Sequence, residues 1–145
     1  MRVCARTFDP RVARGRPQRW NEAGQFVLYL AEHFSTTILE SVVHAGGAPP
    51  PPAHAVWADI PDIVSVDTVD PRALRAGWDD PDDYAIARRI GASWYRQART
   101  AALIVPSVPG RPYERNIVVN TTHADAAAIV WANTVDVPWD PRLFS

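Results

Sequence analysis

Four consecutive prolines at positions 49–52 place the strongest single constraint on how this chain can fold. They lie in the run GGAPPPPA (46–53), which cannot continue a helix and cannot donate hydrogen bonds to a sheet at its prolines. The run therefore predicts a stiff connection, of the kind that polyproline II geometry provides, between the segments on either side. A ligand for a proline-recognition module is the less favoured alternative.

Before this connection, the hydrophobic pattern predicts one strand and one helix. The run QFVLYL (25–30) is short and apolar, which indicates a buried strand. Ser35 is the expected N-cap of a helix over Thr36–His44. The apolar residues of this helix recur at helical spacing and predict one buried face, formed by Ile38, Leu39, Val42 and Val43.

Two polar residues in this region have ordinary structural explanations when they are considered alone. Tyr29 comes near the end of the predicted strand, where a core aromatic with a satisfied hydroxyl is common. Glu40 lies four residues from both Thr36 and His44, on a line of the helix that does not coincide with the apolar stripe. From the helix alone, Glu40 is expected to be a solvated carboxylate.

After the connection, strands and helices follow one another without a regular βαβ rhythm. Two short strands, or one bent strand, are expected over 54–60 and 63–69, on either side of Pro61. A helix is expected to start at Asp80, Asp82 or Asp83 and to turn inward Tyr84, Ile86, Ile90, Trp94 and Ala98. The remaining segments predict strands at 101–105 and 117–119, one or two helical turns within 121–128, and β-like structure over 130–137.

Length and composition are those of one globular domain spanning residues 1–145, with 47% hydrophobic and 21% charged residues. The irregular order of strands and helices predicts the α+β class. No apolar run is long enough for a membrane span or for the core of a signal peptide. Cys4, the single cysteine, cannot form an internal disulfide. We therefore expect a cytoplasmic protein that does not contact a membrane.

All fifteen basic residues are arginine, although the net charge is only −1. Six of them lie in the first twenty positions, namely Arg2, Arg6, Arg11, Arg14, Arg16 and Arg19. The guanidinium fork suits carboxylates and phosphates, so this usage permits a phosphate-containing ligand. A GC-rich genome explains it equally simply and is the favoured explanation. Few aromatic residues accompany the basic cluster, Trp20 among them, so direct nucleic-acid binding is not expected.

Several familiar chemistries are disfavoured by the motifs that the chain lacks. Its four histidines form no HExxH pair and a single cysteine cannot build a zinc cage, so no metal site is expected. Ser107 lies in VPSVPG, which does not match the G-x-S-x-G elbow of serine hydrolases. Gly46 and Gly47 precede prolines rather than a helix, and no phosphate-binding glycine loop is present.

The stretch RWNEAGQFVLYLAEHFSTTILE (19–40) resembles the RES domain, the toxin half of bacterial RES/Xre toxin–antitoxin systems. In that family an RWN or RYN box and a glycine precede a strand ending in Tyr and a helix bearing Glu and often His. The matching residues here are Arg19, Trp20, Asn21, Gly24, Tyr29, Glu40 and His44. Further on, residues 103–125 are similar to the family's strand with a PS pair, its N-x-x-x-N segment and a following His, and WDPRLF (139–144) is similar to its C-terminus. The similarity thus covers nearly the whole chain.

The chain departs from the family's pattern in two connecting segments. Residues 8–18, FDPRVARGRPQ, stand where many relatives have a glycine-rich approach, and the run 46–53 is unusually rich in proline. These differences concern loop contacts and leave the matching core residues in place.

The resemblance implies a compact fold similar to ADP-ribosyltransferases, with twisted mixed β-sheets flanked by helices. It implies NAD as a substrate, with no other cofactor. It also implies one of two reactions: the breakdown of NAD by hydrolysis or phosphorolysis, or the transfer of its ADP-ribosyl group to a protein. It also implies an Xre-type helix-turn-helix antitoxin as a partner and, in many relatives, a homo-oligomer. A non-catalytic binding domain is the remaining alternative.

The resemblance also assigns expected roles to particular residues. Glu40 would stabilise the positively charged ribose as the bond to nicotinamide breaks, and a single carboxylate suffices because nicotinamide leaves from a cation without a general acid. Arg19 would bind the pyrophosphate or the adjoining ribose, and Tyr29 would pack against nicotinamide or its ribose. The expected substrate contacts are completed by Trp20, Ser107, Asn120 and Arg6. Trp20 is equally well explained as core, and His44 and His123 are expected to be structural.

Overall fold

The computed structural model describes residues 1–7 and 12–144, and of Arg6 and Thr7 it describes the backbone alone. The strands are β1 (Arg2–Thr7), β2 (Val27–Ala31), β3 (His54–Asp59), β4 (Val66–Thr68), β5 (Ala102–Pro106), β6 (Arg115–Asn120), β7 (Val130–Trp131) and β8 (Val135–Asp136). The α-helices are α1 (Phe34–His44) and α2 (Ala85–Gln97), and short 3₁₀ turns cover Pro71–Ala73, Ala124–Ala128 and Pro141–Phe144. This content confirms the α+β class.

All eight strands belong to one mixed, curled sheet with the order β4-β5-β6-β2-β1-β3-β7, in which β8 also pairs with β3. The pair β4–β5 is parallel and the other pairs are antiparallel. Strand β1 was not predicted, although it lies in the middle of the sheet between β2 and β3. The predicted strands at 25–30, 101–105 and 117–119 correspond to β2, β5 and β6 with shifts of one or two residues at their ends.

The two faces of the sheet have different coverings. Because side chains alternate along a strand, residues such as Val56, Ile117 and Val119 share one face and form the larger apolar core. The opposite face, called here the helix face, includes Val118 and Leu103 beneath α2 and Cys4 beneath α1. Both α-helices therefore lie on the same face of the sheet.

The expected buried face of α1 is right for Ile38, which packs half-buried against the cluster that contains Cys4, and wrong for Leu39 and Val43. Leu39 and Val43 are exposed, whereas Thr36, Thr37 and Ser41 face the sheet and are buried. The hydroxyl of Thr37 donates to the carbonyl of Cys4, and that of Ser41 donates to the carbonyl of Thr37. These polar side chains can be buried because their hydrogen bonds are satisfied.

The expected start of α1 is also wrong, because the helix begins at Phe34 and its N-cap is His33 rather than Ser35. Helix α2 begins at Ala85, and the carboxylate of Asp83 accepts a hydrogen bond from the Ala85 amide, so one of the three predicted starting residues does contact the helix end.

Residues 46–53 contain neither helix nor strand, which confirms the connection predicted from the prolines. No helix in the described part of the chain is long and apolar enough to cross a membrane.

Candidate functional site

The carboxylate of Glu40 is held in a fixed position on the side of α1 that faces strands β5 and β6. Its Oε1 accepts hydrogen bonds from Ser107 Oγ at 2.8 Å and from Asn116 Nδ2 at 2.6 Å. Among the side chains that the structure describes, which exclude those of Arg6 and Thr7, none donates a hydrogen bond to its second oxygen, Oε2. The geometry thus leaves one oxygen of a half-buried carboxylate available, which differs from the solvated surface group expected from the helix pattern alone.

A cavity of about 300 Å³ opens between α1 and the helix face of the sheet. Tyr29 and Asn116 line it from the sheet, and Glu40 lines it from the helix. Its other lining residues are Cys4, Ala5, Gln18, Leu30, Ala31, Thr37, Ser41 and His44. The cavity is of the size at which small-molecule pockets begin. Three residues that match the family's pattern, Tyr29, Glu40 and His44, therefore share one pocket.

Ser107 follows directly after β5 and is fully buried. Its hydroxyl accepts a hydrogen bond from the Gly110 amide at 3.2 Å while it donates to Glu40. Gly110 has no room for a side chain, because a Cβ there would lie 2.4 Å from the Cβ of Glu114 and 3.1 Å from Ser107 Oγ. The tight turn after β5 therefore fixes both the place and the direction of the Ser107 hydroxyl.

Tyr29 lies on β2 with its ring at the cavity and its hydroxyl in a closed hydrogen-bond chain. The hydroxyl donates to Asn21 Oδ1 at 2.8 Å and accepts from the Trp20 amide at 3.0 Å. Burial raises the pKa of Tyr29 well above its ordinary value, while the hydrogen bond from Trp20 and the charges of Arg88 and Arg19 oppose this rise. Tyr29 therefore stays neutral at physiological pH.

Arg19 is anchored to the loop that precedes α2. Its Nη1 donates to the carbonyl of Trp78 and its Nη2 to that of Asp80, both at 3.0 Å, and its guanidinium lies 4.1 Å from the centroid of the Tyr84 ring. Burial lowers the pKa of Arg19, and the charges of Tyr84 and Glu40 oppose this shift. These bonds use two of its five N–H groups.

The loop that holds Arg19 is also joined to the turn after β5, because Arg111 forms an ion pair with Asp79. The Arg111 charge acts in turn on Arg19 and contributes to lowering its pKa. Arg19 is nevertheless not among the residues that line the cavity. The structure therefore places Arg19 in the electrostatic surroundings of Glu40 rather than against the cavity wall.

Trp20 is part of the core beneath α2. Only 2% of its surface is exposed, and its ring lies 6.1 Å from that of Trp78. Its backbone passes so close to α2 that a Cβ at Gly91 would lie 1.9 Å from the Trp20 carbonyl oxygen. The structure therefore favours a core role for Trp20 over a substrate contact. Its link to the cavity is indirect, because its amide donates to the hydroxyl of Tyr29, which lines the cavity.

Asn120 is buried on the same strand as Asn116, but it is not brought to the cavity. Its Oδ1 accepts hydrogen bonds from the amide and the hydroxyl of Thr122, which closes the end of β6. Four residues along a strand correspond to about 13 Å. For Arg6 the structure gives only a backbone position, opposite Ala55 and two residues after Cys4 on β1, and its side chain lies outside the described residues.

Asn116 was not among the predicted site residues, although it begins the N-x-x-x-N segment on which the resemblance rests. It lies on the helix face of β6 opposite Ala31 of β2, and its Nδ2 points to Glu40. Its Oδ1 is buried and has no hydrogen-bond partner in the described part of the chain. A buried acceptor without a donor is rare, and this one belongs to a residue that lines the cavity. The even spacing between Asn116 and Asn120 was a usable signal, because it puts both on one face.

Taken together, the site offers a carboxylate with one oxygen that accepts no hydrogen bond from the described side chains, the Asn116 amide, an aromatic wall and a nearby guanidinium. This set can bind hydroxyl groups and stabilise a developing positive charge. Among the residues that the structure describes, no group of three or more His, Cys, Asp or Glu side chains is arranged to hold a metal ion.

The fold is similar to a solved structure, the MbcT–MbcA toxin–antitoxin complex of M. tuberculosis. The TM-score is 0.77, and the match covers 98% of this chain and 86% of the other, at 18% sequence identity. At that identity the likeness concerns the fold, and it agrees with the mixed sheet and paired helices described above.

Sequence comparison identifies relatives that are named as toxins. The chain is 34% identical over 128 residues to the "Prs ADP-ribosylating toxin" of Sphingobium sp. strain YBL2, covering 86% of this chain and 79% of the relative. It is 31% identical over 129 residues to "Toxin Res" of Photorhabdus laumondii, covering 86% of this chain and 80% of that relative. The family model of the RES domain matches residues 2–140. The resemblance seen in the sequence motifs is thereby confirmed, and this chain belongs to the RES domain family.

Proposed function

We propose that this protein is a toxin that consumes NAD by breaking the bond between nicotinamide and its ribose. The observation that carries the proposal is the Glu40 carboxylate at the cavity wall, with Oε1 held by Ser107 and Asn116 and Oε2 free for substrate. The names of the relatives support a toxin that uses an ADP-ribosyl donor.

In the proposed reaction the C–N bond between ribose C1′ and the nicotinamide ring breaks. Its electron pair stays on the ring nitrogen, so nicotinamide leaves as a neutral molecule and positive charge develops on the ribose. Glu40 Oε2 stabilises that charge because a carboxylate close to a cation gains electrostatic energy where water is excluded. Water then bonds to C1′ and releases a proton, giving ADP-ribose, or inorganic phosphate bonds there and gives ADP-ribose that carries the phosphate on that carbon.

The neighbouring groups would orient the substrate. Asn116, which lines the cavity, holds Glu40 in place through its Nδ2, and the ring of Tyr29 packs against the reacting end. Arg19, which gives two of its five N–H groups to backbone carbonyls, binds the pyrophosphate side. Ser107 acts through Glu40, whose position it maintains.

Transfer of the ADP-ribosyl group to a protein is the second candidate. The specific observation that favours it is the 34% identity to a relative whose name describes an ADP-ribosylating toxin. Both reactions begin with the same bond cleavage, so they share the roles of Glu40 and Asn116. They differ in the acceptor alone.

The purified protein should convert NAD to nicotinamide and a ribose-containing product, which liquid chromatography and mass spectrometry identify. Parallel reactions with phosphate and with a bacterial lysate distinguish hydrolysis, phosphorolysis and protein modification. Glu40→Gln should abolish nicotinamide release in all of them and leave the fold unchanged by circular dichroism. Glu22→Gln, which changes a remote exposed carboxylate paired with Arg96, is the matched control and should keep full activity. Nicotinamide release by Glu40→Gln at the rate of the unmodified protein would refute the proposal.

We further propose an antitoxin partner, because the solved structure that shares this fold is a toxin–antitoxin complex. The product of a neighbouring gene should bind the protein and suppress NAD cleavage. Size-exclusion chromatography with light scattering would show the complex and would also give the oligomeric state of the toxin alone.

A further inference from the structure

The turn between β5 and β6 contacts α1 at two separate places. One is the middle of the helix, where Ser107 donates to Glu40 at 2.8 Å. The other is the N-terminus of the helix, where the Oε2 of Glu114 accepts from Thr36 Oγ1 at 2.6 Å and from His33 Nδ1 at 2.8 Å. The helix that bears Glu40 is therefore attached to the turn at both points.

Helix α1 has no capping side chain of its own at its N-terminus. Its N-cap residue, His33, makes no side-chain capping bond, and the first turn contains no acidic residue. The carboxylate of Glu114 comes from another part of the chain to this end, where the helix dipole favours a negative charge. The hydrogen bonds from Thr36 and His33 lower the pKa of Glu114, so the carboxylate is charged at neutral pH.

Thr36 makes this contact at a buried position, with 2% of its surface exposed. Its hydroxyl needs an acceptor there, because a buried polar group without a partner is costly. Thr36 also lies one helical turn before Glu40 on the same line of α1. A displacement of the helix at Thr36 is therefore transmitted directly to the Glu40 side chain.

Glu114 and Ser107 are linked rigidly within the turn. The Ser107 amide donates to the Glu114 carbonyl, and the Glu114 amide donates to the Gly110 carbonyl, both at 3.0 Å. The Gly110 amide in turn donates to Ser107 Oγ at 3.2 Å, and Gly110 has no space for a Cβ beside Glu114. The two contacts with α1 are thus parts of one closed unit.

We propose that Glu114 is a positioning residue for Glu40: it binds the N-terminus of α1 to the turn and thereby sets the distance between the Glu40 carboxylate and the Ser107 hydroxyl. The inference rests on the proposed function, because positioning affects a rate only if Glu40 acts on the substrate. Glu114 itself does not line the cavity and is not a catalytic residue.

The kinetic test compares Glu114→Ala, Glu114→Gln and the control Glu22→Gln in NAD cleavage. Glu114→Ala should lower kcat about tenfold and change KM less than twofold, because it loosens a group that acts in the transition state. Glu114→Gln keeps an acceptor for Thr36 and should recover part of the rate. An unchanged kcat for Glu114→Ala, or a loss confined to KM, would overturn the proposal.

A second measurement works whether or not the protein cleaves NAD. Amide hydrogen exchange should become faster throughout the first half of α1 and in the turn 107–114 in Glu114→Ala, and stay unchanged in the control, while circular dichroism shows that both variants are folded. Unchanged exchange in α1 would overturn the positioning role. A wild type without NAD cleavage but with this exchange response would refute the proposed function and leave the link between Glu114 and α1 intact.

Discussion

Ser107 Oγ lies 2.8 Å from Glu40 Oε1, although 67 residues separate the two in the chain. Asn116 Nδ2 donates to the same oxygen at 2.6 Å. Two donors on one oxygen hold the carboxylate in a single orientation and leave the other oxygen to the cavity.

The two donors to Glu40 should not contribute independently. Ser107→Ala and Asn116→Ala should each reduce NAD cleavage about tenfold, since each removes one hydrogen bond to a charged group. The double variant should lose less than the product of the two single effects, because one remaining donor already orients the carboxylate poorly. Steady-state rates of all four proteins form the double-mutant cycle, and strictly multiplicative losses would contradict the shared role.

Replacing Tyr29 by Phe should destabilise the fold more than the loss of one hydroxyl suggests. The Trp20 amide and Asn21 Oδ1 would both lose their partner, and each orphaned buried group costs about 1–3 kcal/mol. Urea unfolding measures the change in the free energy of unfolding. Tyr95→Phe is the matched control, because its hydroxyl contacts are exposed and water can replace them. If both variants lowered the free energy of unfolding equally, the buried hydrogen bonds of Tyr29 would contribute no more to stability than the exposed ones of Tyr95.

Gly91→Ala should be strongly destabilising, although alanine normally favours helices. The new methyl group would lie 1.9 Å from the Trp20 carbonyl, so α2 must move away from the sheet at a cost of about 3 kcal/mol. Thermal unfolding should show a clear fall in Tm. The control, Arg89→Ala on an exposed position of the same helix, should leave Tm nearly unchanged. A Gly91→Ala protein as stable as the wild type would mean that α2 does not approach Trp20 this closely.

Acid should weaken the contact between the 124–128 turn and the loop after β3. Asp125 Oδ2 accepts from both the hydroxyl and the amide of Ser65, and these bonds lower the pKa of Asp125 below its ordinary value of 3.8. A lowered pKa in the folded state contributes stability above pH 3.8, and that contribution is lost as the pH falls through the folded-state pKa. The dependence of Tm on pH below 4 should therefore become flatter in Asp125→Asn, and Ser65→Ala should have a similar effect. If the Tm of both variants fell with pH below 4 as steeply as that of the wild type, the Asp125–Ser65 hydrogen bonds would not be the cause of that dependence.

The hydrophobic pattern predicted the existence of α1 correctly and its buried face only in part. Periodicity records which side chains are apolar, but it does not show that a backbone carbonyl lies ready to accept from a threonine or serine. The carbonyl of Cys4, on a strand 33 residues earlier, accepts from Thr37 in this way. Such an acceptor is a product of the tertiary structure, so the polar side of α1 could not be identified as the inner side.

Strand β1 was missed for a related reason. Its sequence RVCART has small and charged residues, and no strong apolar run. It is held by long-range pairing, in which Cys4 lies opposite both Ala31 and Trp57. Strand β6, in contrast, was found, but its start was placed at Ile117 instead of Arg115. That difference of two residues left Asn116 in a predicted loop and hid its orientation towards Glu40.

The motifs identified Glu40, Tyr29 and Ser107, and the structure brings these three residues to one side of the sheet. They did not distinguish Asn116 from Asn120, because register alone decides which of them reaches the cavity. Arg19 and Trp20 were also singled out, and their observed contacts are with the loop before α2 and with α2 itself. The roles assigned to all of these residues stay predictions until the variants are assayed.

The placement of both helices on one face of the sheet has an evolutionary consequence. The larger core, around Ile117 and Val119, lies on the opposite face and shares no side chain with the cavity lining apart from Ala5 and Leu30. Substitutions around the cavity can therefore accumulate with little effect on that core. A lineage carrying this fold is free to change what the cavity binds while it inherits the same scaffold.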